Sequence, residues 1–452
     1  MVEIKKNNEY EIDIIDINHD GLGVGKIDNY TVFVDGVVVG EKARIKLIKA
    51  NKTYGYGKLL QIIEQSKNRV EPLCKISNRC GGCNLCHVEY EKQLEYKTNL
   101  VKQNLKRIGN IDVEVNSTIG MDNPYYYRNK AQFPVRQDGE DLKIGFYAKN
   151  SHNVVSCDDC KIQDRVINKV KDVVKDFMKG SNISGYNEET KKGDVRHILV
   201  RVGKKTREVM VVLVINNNNL PCKDILIDML VTNIPNLASV VLNINKKNTN
   251  VILGDKSITI WGNSYIEDYI NDQKFRISAK SFYQVNPEQT AVLYNKALEF
   301  AGLTGKETVF DLYCGIGTIT LCLTKKAKFV YGVEIVPEAV YNAKENAKIN
   351  DIQNVEFIEG KSEEIIPKMY KEGIRADVVV VDPPRKGCDI ALLGTLIDMK
   401  PNKIVYISCN PATLARDLKA LVESGFTVEK VQPVDMFPMS MHVETVVLME
   451  KS

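Results

Sequence analysis

The sequence predicts an α/β protein. A doubly wound, mostly parallel sheet is expected at the C-terminus, a small β-barrel at the N-terminus and a mixed α+β region between them. Three observations carry this expectation. From about Ile270 onward the apolar pattern alternates strand, helix, strand, as crossover units of a parallel sheet require. Up to Ile63 the pattern is one of short alternating strands separated by glycine turns. The chain of 452 residues is also too long for a single core, so two or three domains are expected, at 1–63, 64–268 and 269–452.

In the first region Glu11-Ile12-Asp13-Ile14 and Tyr30-Thr31-Val32-Phe33-Val34 alternate, and Asp20-Gly21 is a turn signal. Between Lys42 and Lys58 stand six basic residues and no acid, with Tyr54 and Tyr56 among them. Cations for phosphate and aromatic rings for stacking suit single-stranded RNA, although a solvated barrel face has the same composition. The central region opens with Cys74, Cys80, Cys83 and Cys86. A helical stretch follows from about Glu89 to about Arg107, expected to pack on the C-terminal domain. Apolar runs at His197–Val202 and Val209–Ile215 read as strands. Tyr125-Tyr126-Tyr127-Arg128-Asn129-Lys130 mixes aromatics and cations, which suits either RNA stacking or a half-buried strand edge.

In the C-terminal region Thr308–Leu312 is the first strand, followed by the glycine turn Tyr313-Cys314-Gly315-Ile316-Gly317-Thr318. A second strand runs from Phe329 to Val333 and ends at Glu334; Pro337 opens a helix reaching about Asn350. Val355–Ile358, Ala376–Val381, Lys403–Ile407 and Thr445–Met449 complete the sheet. Strand, glycine turn and a later acidic strand end make a nucleotide-type site, in which Glu334 can accept from two ribose hydroxyls. The turn is not a Gly-x-Gly-x-x-Gly fingerprint and no Gly-Lys-[Ser/Thr] loop occurs, which disfavours a nicotinamide dehydrogenase and an ATPase.

Cys409 stands in Ser408-Cys409-Asn410-Pro411, where an apolar strand stops and Pro411 can open a helix. A lone cysteine is more often a small buried hydrophobe. This one is held at the strand edge where open α/β sheets carry ligands, beside a second strand end at Asp382-Pro383-Pro384-Arg385, and a thiolate there is a nucleophile.

Composition bounds the rest. With 44% apolar and 27% charged residues the chain is globular, and its net charge of +4 neither demands nor excludes nucleic acid. Polar and charged residues from Met1 to Tyr10 give no signal peptide, and no apolar run approaches the ~18 residues of a membrane span. A cytoplasmic monomer is expected. Eleven cysteines then read as metal ligands and catalytic thiols rather than disulfides. Cys74-x5-Cys80-x2-Cys83 offers three thiols around Gly81-Gly82, with Cys157 or Cys160 as the fourth, fitting either a 4Fe-4S cluster or structural zinc. The spacing is not Cys-x3-Cys-x2-Cys, which disfavours radical S-adenosylmethionine chemistry.

Asp311-Leu312-Tyr313-Cys314-Gly315-Ile316-Gly317-Thr318 resembles motif one of S-adenosylmethionine-dependent methyltransferases. Ser281-Phe282-Tyr283-Gln284-Val285-Asn286, Asp382-Pro383-Pro384-Arg385, Ser408-Cys409-Asn410-Pro411 and His442-Val443-Glu444 together resemble the RNA (uracil-5-)-methyltransferase family. The cysteine cluster and barrel make the chain similar to its RumA/RlmD-type 23S ribosomal RNA members, with the barrel resembling their TRAM domain. The resemblance implies a Rossmann-like methyltransferase domain forming 5-methyluridine. It assigns S-adenosylmethionine contacts to Gln284, Tyr313, Glu334 and Asp382, the nucleophile to Cys409 and the base to Glu444. It also favours an iron-sulfur cluster on Cys74, Cys80, Cys83 and Cys160, although Cys86 offers an alternative pairing with Cys83. A family contact near Gly360-Lys361-Ser362 is not carried over, because no acidic residue stands there. Arg385, where amine methyltransferases often carry an aromatic, agrees with carbon methylation. Two rival readings are the same reaction on transfer RNA and a non-catalytic RNA-binding assembly factor.

Overall fold

The computed structural model describes residues 4–451. Strands Glu9–Ile17, Gly23–Ile27, Tyr30–Val34, Lys42–Ala50 and Tyr54–Glu64 close into a barrel. Alternation is the cause: Ile12, Ile14, Val32, Val34, Ala43, Ile45 and Leu47 point inward and fill it. Gly55 marks a close approach, since a Cβ there would lie 2.7 Å from the Lys49 carbonyl oxygen. Lys42, Arg44, Lys46 and Lys49 fall on the outer face. They are not wholly unopposed, because folding pairs Glu11 with Arg44 across the sheet at 2.9 Å.

The central sheet has seven strands in the order Lys256–Gly262, Leu237–Ile244, Val209–Ile215, Val195–Val202, Lys130–Asp138, Asp141–Tyr147, Val154–Ser156. Val209–Ile215 is buried along its whole length. One face packs on helices Arg165–Gly180 and Lys223–Asn233. The other joins the C-terminal core through Leu199, Met210 and Val212. The intermediary is the hairpin Tyr265–Ile270/Gln273–Ser278, whose Ile266, Ile270, Phe275 and Ile277 lie in that core. A boundary at 268/269 would therefore cut through this hairpin.

The C-terminal sheet runs Val355–Glu359, Phe329–Glu334, Thr308–Leu312, Val378–Val381, Lys403–Ser408, Glu444–Lys451, Phe426–Val434. The first five strands are parallel, Glu444–Lys451 runs antiparallel to them, and Phe426–Val434 pairs antiparallel with Glu444–Lys451. Phe426–Val434 escapes sequence reading because exposed Glu429 and Lys430 interrupt its apolar alternation at a bulge. The strand order reverses between Thr308–Leu312 and Val378–Val381, which opens a crevice at their C-terminal ends. Helix Tyr90–Asn104, ending in a π turn at Leu105–Gly109, packs on helix Pro411–Val422, and its buried Lys97 forms an ion pair with buried Asp435. No helix among the described residues is long and apolar enough to cross a membrane.

Candidate active site and cysteine-lined cavity

The crevice holds a cavity of about 520 Å³ whose lining includes Gln284, Tyr313, Glu334, Asp382, Cys409 and Glu444. The six residues expected for cofactor binding and catalysis thus share one cavity, though they come from segments far apart in sequence.

Its cofactor half is built on the turn after Thr308–Leu312. Tyr313, Gly315 and Gly317 have φ of 67°, 57° and 81°, so the chain turns sharply through left-handed conformations at the edge of the cavity. Glu334 braces this turn, accepting from the Gly315 amide at 3.0 Å and the Val336 amide at 2.8 Å. Beneath it Asp311 is buried, accepts from the Thr320 hydroxyl at 2.5 Å and leaves its other oxygen unpartnered. Burial raises the Asp311 carboxyl to about 8 and Asp382 to about 7. An acidic, partly desolvated cradle of this kind fits a cationic ligand with a ribose, as S-adenosylmethionine is.

The other half is built on strand Lys403–Ser408. The Asn410 side chain caps helix Pro411–Val422 by accepting from the Ala412 amide at 3.0 Å, which leaves Cys409 at the helix N-terminus. The same loop is latched to Asp382-Pro383-Pro384-Arg385. The Arg385 carbonyl accepts from Asn410 Nδ2 at 3.2 Å and from the Thr413 hydroxyl at 3.1 Å. Antiparallel register sets Thr445 opposite Ser408, so Glu444 and Cys409 end adjacent strands. Burial pushes the Cys409 thiol up to about 11; the charges of Glu444 and Asp382 add to this, and Arg385 opposes it. Glu444 is buried and held well above the usual carboxylate range, first by desolvation and then by Asp382. It is not the surface carboxylate that a strand start would suggest.

A second cavity, of about 200 Å³, is lined by Cys74, Cys80, Cys83 and Cys160, together with Cys86 and Cys157. Both alternative ligands considered from the sequence therefore line it as well. Among the described residues no group of three or more His, Cys, Asp or Glu side chains is arranged closely enough to hold a metal ion as it stands. The donor chemistry nonetheless fits a thiophilic group, since the cavity gathers sulfur without a carboxylate. Burial and mutual charge raise Cys80 to about 11. Cys160 is lowered to about 7, chiefly because the Cys157 thiol donates to it and secondarily by the Ile162 and Gln163 amides.

Comparison with known proteins agrees with this geometry. Residues 241–452 match the tRNA (Uracil-5-)-methyltransferase family model, and residues 4–60 match the TRAM domain model. The "Uncharacterized RNA methyltransferase" of Clostridium acetobutylicum is 55% identical, covering 100% of this chain and 99% of the relative. The chain belongs to the RNA (uracil-5-)-methyltransferase family. A second such protein, from Halalkalibacterium halodurans, is 52% identical over 99% of this chain and 98% of its own. Among solved structures, the Pyrococcus abyssi tRNA (uracil-54, C5)-methyltransferase in complex with S-adenosyl-L-homocysteine superposes with TM-score 0.79 at 28% identity, covering 97% of this chain and 100% of that one. The family is S-adenosylmethionine-dependent and acts on RNA, and the closed barrel is its TRAM domain.

The crevice cavity also brings in residues that sequence reasoning passed over. Phe282 lines the crevice cavity yet is 71% exposed, an apolar ring standing free at its mouth. The sequence signal is a bulky apolar residue two positions before the expected contact Gln284. Phe437 also lines the cavity, with the Arg128 guanidinium 6.0 Å from its ring centre and His442 edge-on at 6.1 Å. Of the Tyr125–Tyr127 run, Tyr127 is buried and donates to the Pro438 carbonyl at 3.1 Å, so it is a structural ring rather than a stacking platform.

Proposed function

We propose that this protein methylates carbon-5 of a uridine in 23S ribosomal RNA through a covalent cysteine adduct, acting as a monomer. The observation that carries the reading is that Cys409 and Glu444 end adjacent antiparallel strands and open into the same cavity as Gln284, Tyr313, Glu334 and Asp382. Those four side chains would hold S-adenosylmethionine, which supplies an electrophilic methyl group when bound. The uracil ring lies against Phe282, and Arg385 hydrogen-bonds its polar edge. The Cys409 sulfur adds to carbon-6, and the electron pair released makes carbon-5 nucleophilic. Once carbon-5 carries the methyl group, Glu444 takes the carbon-5 proton, the carbon-6–sulfur bond breaks, and Cys409 leaves as thiolate. A raised carboxyl suits this step, because burial makes the carboxylate a stronger base toward a carbon-bound proton than an ordinary one.

Barrel and cysteine cavity together favour ribosomal RNA through the resemblance to the RumA/RlmD type. A transfer RNA substrate is the second reading, favoured by the likeness to the Pyrococcus abyssi enzyme. Mapping 5-methyluridine in both RNAs from a deletion strain decides between them. Loss from 23S ribosomal RNA with transfer RNA unchanged is expected; the reverse pattern overturns the ribosomal assignment, and loss from neither overturns the enzyme reading.

Cys74, Cys80, Cys83 and Cys160 would hold a 4Fe-4S cluster, a one-electron centre when bound. The purified protein is then expected to be brown, with broad absorption near ~400 nm that bleaches on oxidation. Cys160→Ser should remove the colour while Cys157→Ser and Cys86→Ser keep it. Stoichiometric zinc without iron in the purified protein would contradict the assignment.

The barrel's basic face would contact phosphate. Lys49, Lys52 and Lys58 are exposed. Changing all three to Gln should weaken RNA binding and flatten its dependence on log salt by about 2, at ~0.7 per lost single-strand phosphate contact. S-adenosylmethionine affinity should not change. An unaltered salt slope in a filter-binding series would show the barrel to be structural only.

A further inference from the structure

A strap formed by residues 435–442 joins the two cavities. Its Phe437 and His442 line the catalytic cavity, whereas its Met439 lines the cysteine cavity. Glu444 follows after one residue, Val443. Met439 has a φ of 69°, a left-handed conformation that a residue with a Cβ adopts only where its neighbours enforce it. The enforcing bonds come chiefly from the cysteine loop. The Met439 carbonyl accepts from the Asn84 amide at 3.1 Å and the Leu85 amide at 3.0 Å. The Met441 amide donates to Asn84 Oδ1 at 3.1 Å, and the Met439 amide to buried Gln93 Oε1 at 3.0 Å. The other end of the Asn84 side chain reaches the barrel, with Nδ2 donating to the Asp20 carbonyl at 2.6 Å. Gly21 makes this approach feasible, since a Cβ there would lie 2.8 Å from Nδ2.

Asn84 is thus bonded at once to the barrel turn and to the strap, and it directly follows Cys83, which lines the cysteine cavity. We propose that Asn84 is a positioning residue that fixes the strap ahead of Glu444 to the cysteine loop, so that the hold on Cys83 sets the seat of the proton-accepting carboxylate. This inference rests on the role proposed above for Glu444. A group gripping Cys83 fixes the Asn84 backbone. Releasing Cys83 frees a donor and an acceptor from the strap together, and the left-handed Met439 can then relax. The first half of the strap is held separately, by the Lys97–Asp435 ion pair and by Tyr127 donating to the Pro438 carbonyl. The loosening is therefore confined to residues 439–443.

Residue-resolved hydrogen exchange on the purified full chain tests this without RNA or cofactor. In both Cys83→Ser and Asn84→Ala the Met441 amide, whose acceptor is Asn84 Oδ1, should exchange about tenfold faster or more than in the unaltered protein, while Val446 to Leu448 stay as protected as before. Asn84→Asp keeps an acceptor facing Met441 and should restore much of its protection. Unchanged exchange at Met441 overturns the coupling, as does equal acceleration through Val446 to Leu448, which reports general loosening. In the reaction, Asn84→Ala should lower kcat with little change in KM and accumulate the methylated protein–RNA adduct expected of Glu444→Gln. An adduct in Glu444→Gln but not in Asn84→Ala overturns the positioning role. Faster exchange with no adduct in either variant places the failure on the role of Glu444 instead.

Discussion

Cys409→Ala is expected to bind RNA and S-adenosylmethionine normally and to transfer no methyl group, a loss of at least ~10⁴-fold in kcat. Carbon-5 of uracil does not attack a sulfonium methyl unaided, and without sulfur addition at carbon-6 it is never activated. The substitution removes little else. Cys409 is half-buried, and the loop around it is held by Asn410, Thr413 and the Arg385 carbonyl rather than by its sulfur. The same chemistry fixes a pH dependence. Burial holds the thiol near 11, so only a small fraction is ionised at neutrality. Because the thiolate is the attacking form, kcat/KM should rise with pH through the neutral range, by about tenfold per unit until another group or step limits it. Arg385→Gln removes the cation that favours the thiolate and should lower kcat/KM at neutral pH. Normal turnover by Cys409→Ala would move the nucleophile to another thiol at this edge. Cys314, within the glycine turn, and Cys388, three residues after Arg385, are both buried, so both are sterically poorer choices.

Glu444→Gln should stop the reaction one step later. Thiolate addition and methyl transfer do not need the carboxylate, so both proceed, and the methylated ring then keeps its carbon-5 proton and stays bonded to Cys409. A denaturing gel should show a slower protein–RNA band that carries label from methyl-labelled cofactor. The band should be absent from Cys409→Ala and from the double variant. Turnover should fall by ~10²–10⁴-fold, the usual contribution of a positioned base. Gln is close in shape, and Glu444 is buried with its charge disfavoured, so the neutral amide should not destabilise the fold. Normal turnover with no trapped species would assign the base elsewhere and leave Cys409 untouched.

Much of this site was legible because each part is local. The turn Asp311–Thr318 announces itself by glycines after a strand, and Cys409 by a proline that stops one element and opens the next. Both depend on backbone rules acting over a few residues. Strand Phe426–Val434 was hidden for the opposite reason, since its pairing with Glu444–Lys451 overrides an interrupted pattern. The continuous apolar runs of the central sheet were read as strands, but that their second face is buried against a hairpin of the C-terminal core is a fact of packing. The basic run of the barrel looked unopposed until the register set Glu11 beside Arg44.

By itself the sequence determined the α/β class, the barrel, the glycine turn and the chemical identity of the site residues, because periodicity and turn chemistry are written in adjacent residues. Only the tertiary structure decided that Glu444 is buried beside Cys409 with its proton affinity raised. That follows from antiparallel register and desolvation, which no local pattern encodes. It likewise decided that Cys74, Cys80, Cys83, Cys86, Cys157 and Cys160 line one cavity, and that Asn84 binds the strap before Glu444 to the loop carrying Cys83. Those contacts join residues hundreds of positions apart, and packing alone brings them within hydrogen-bond reach.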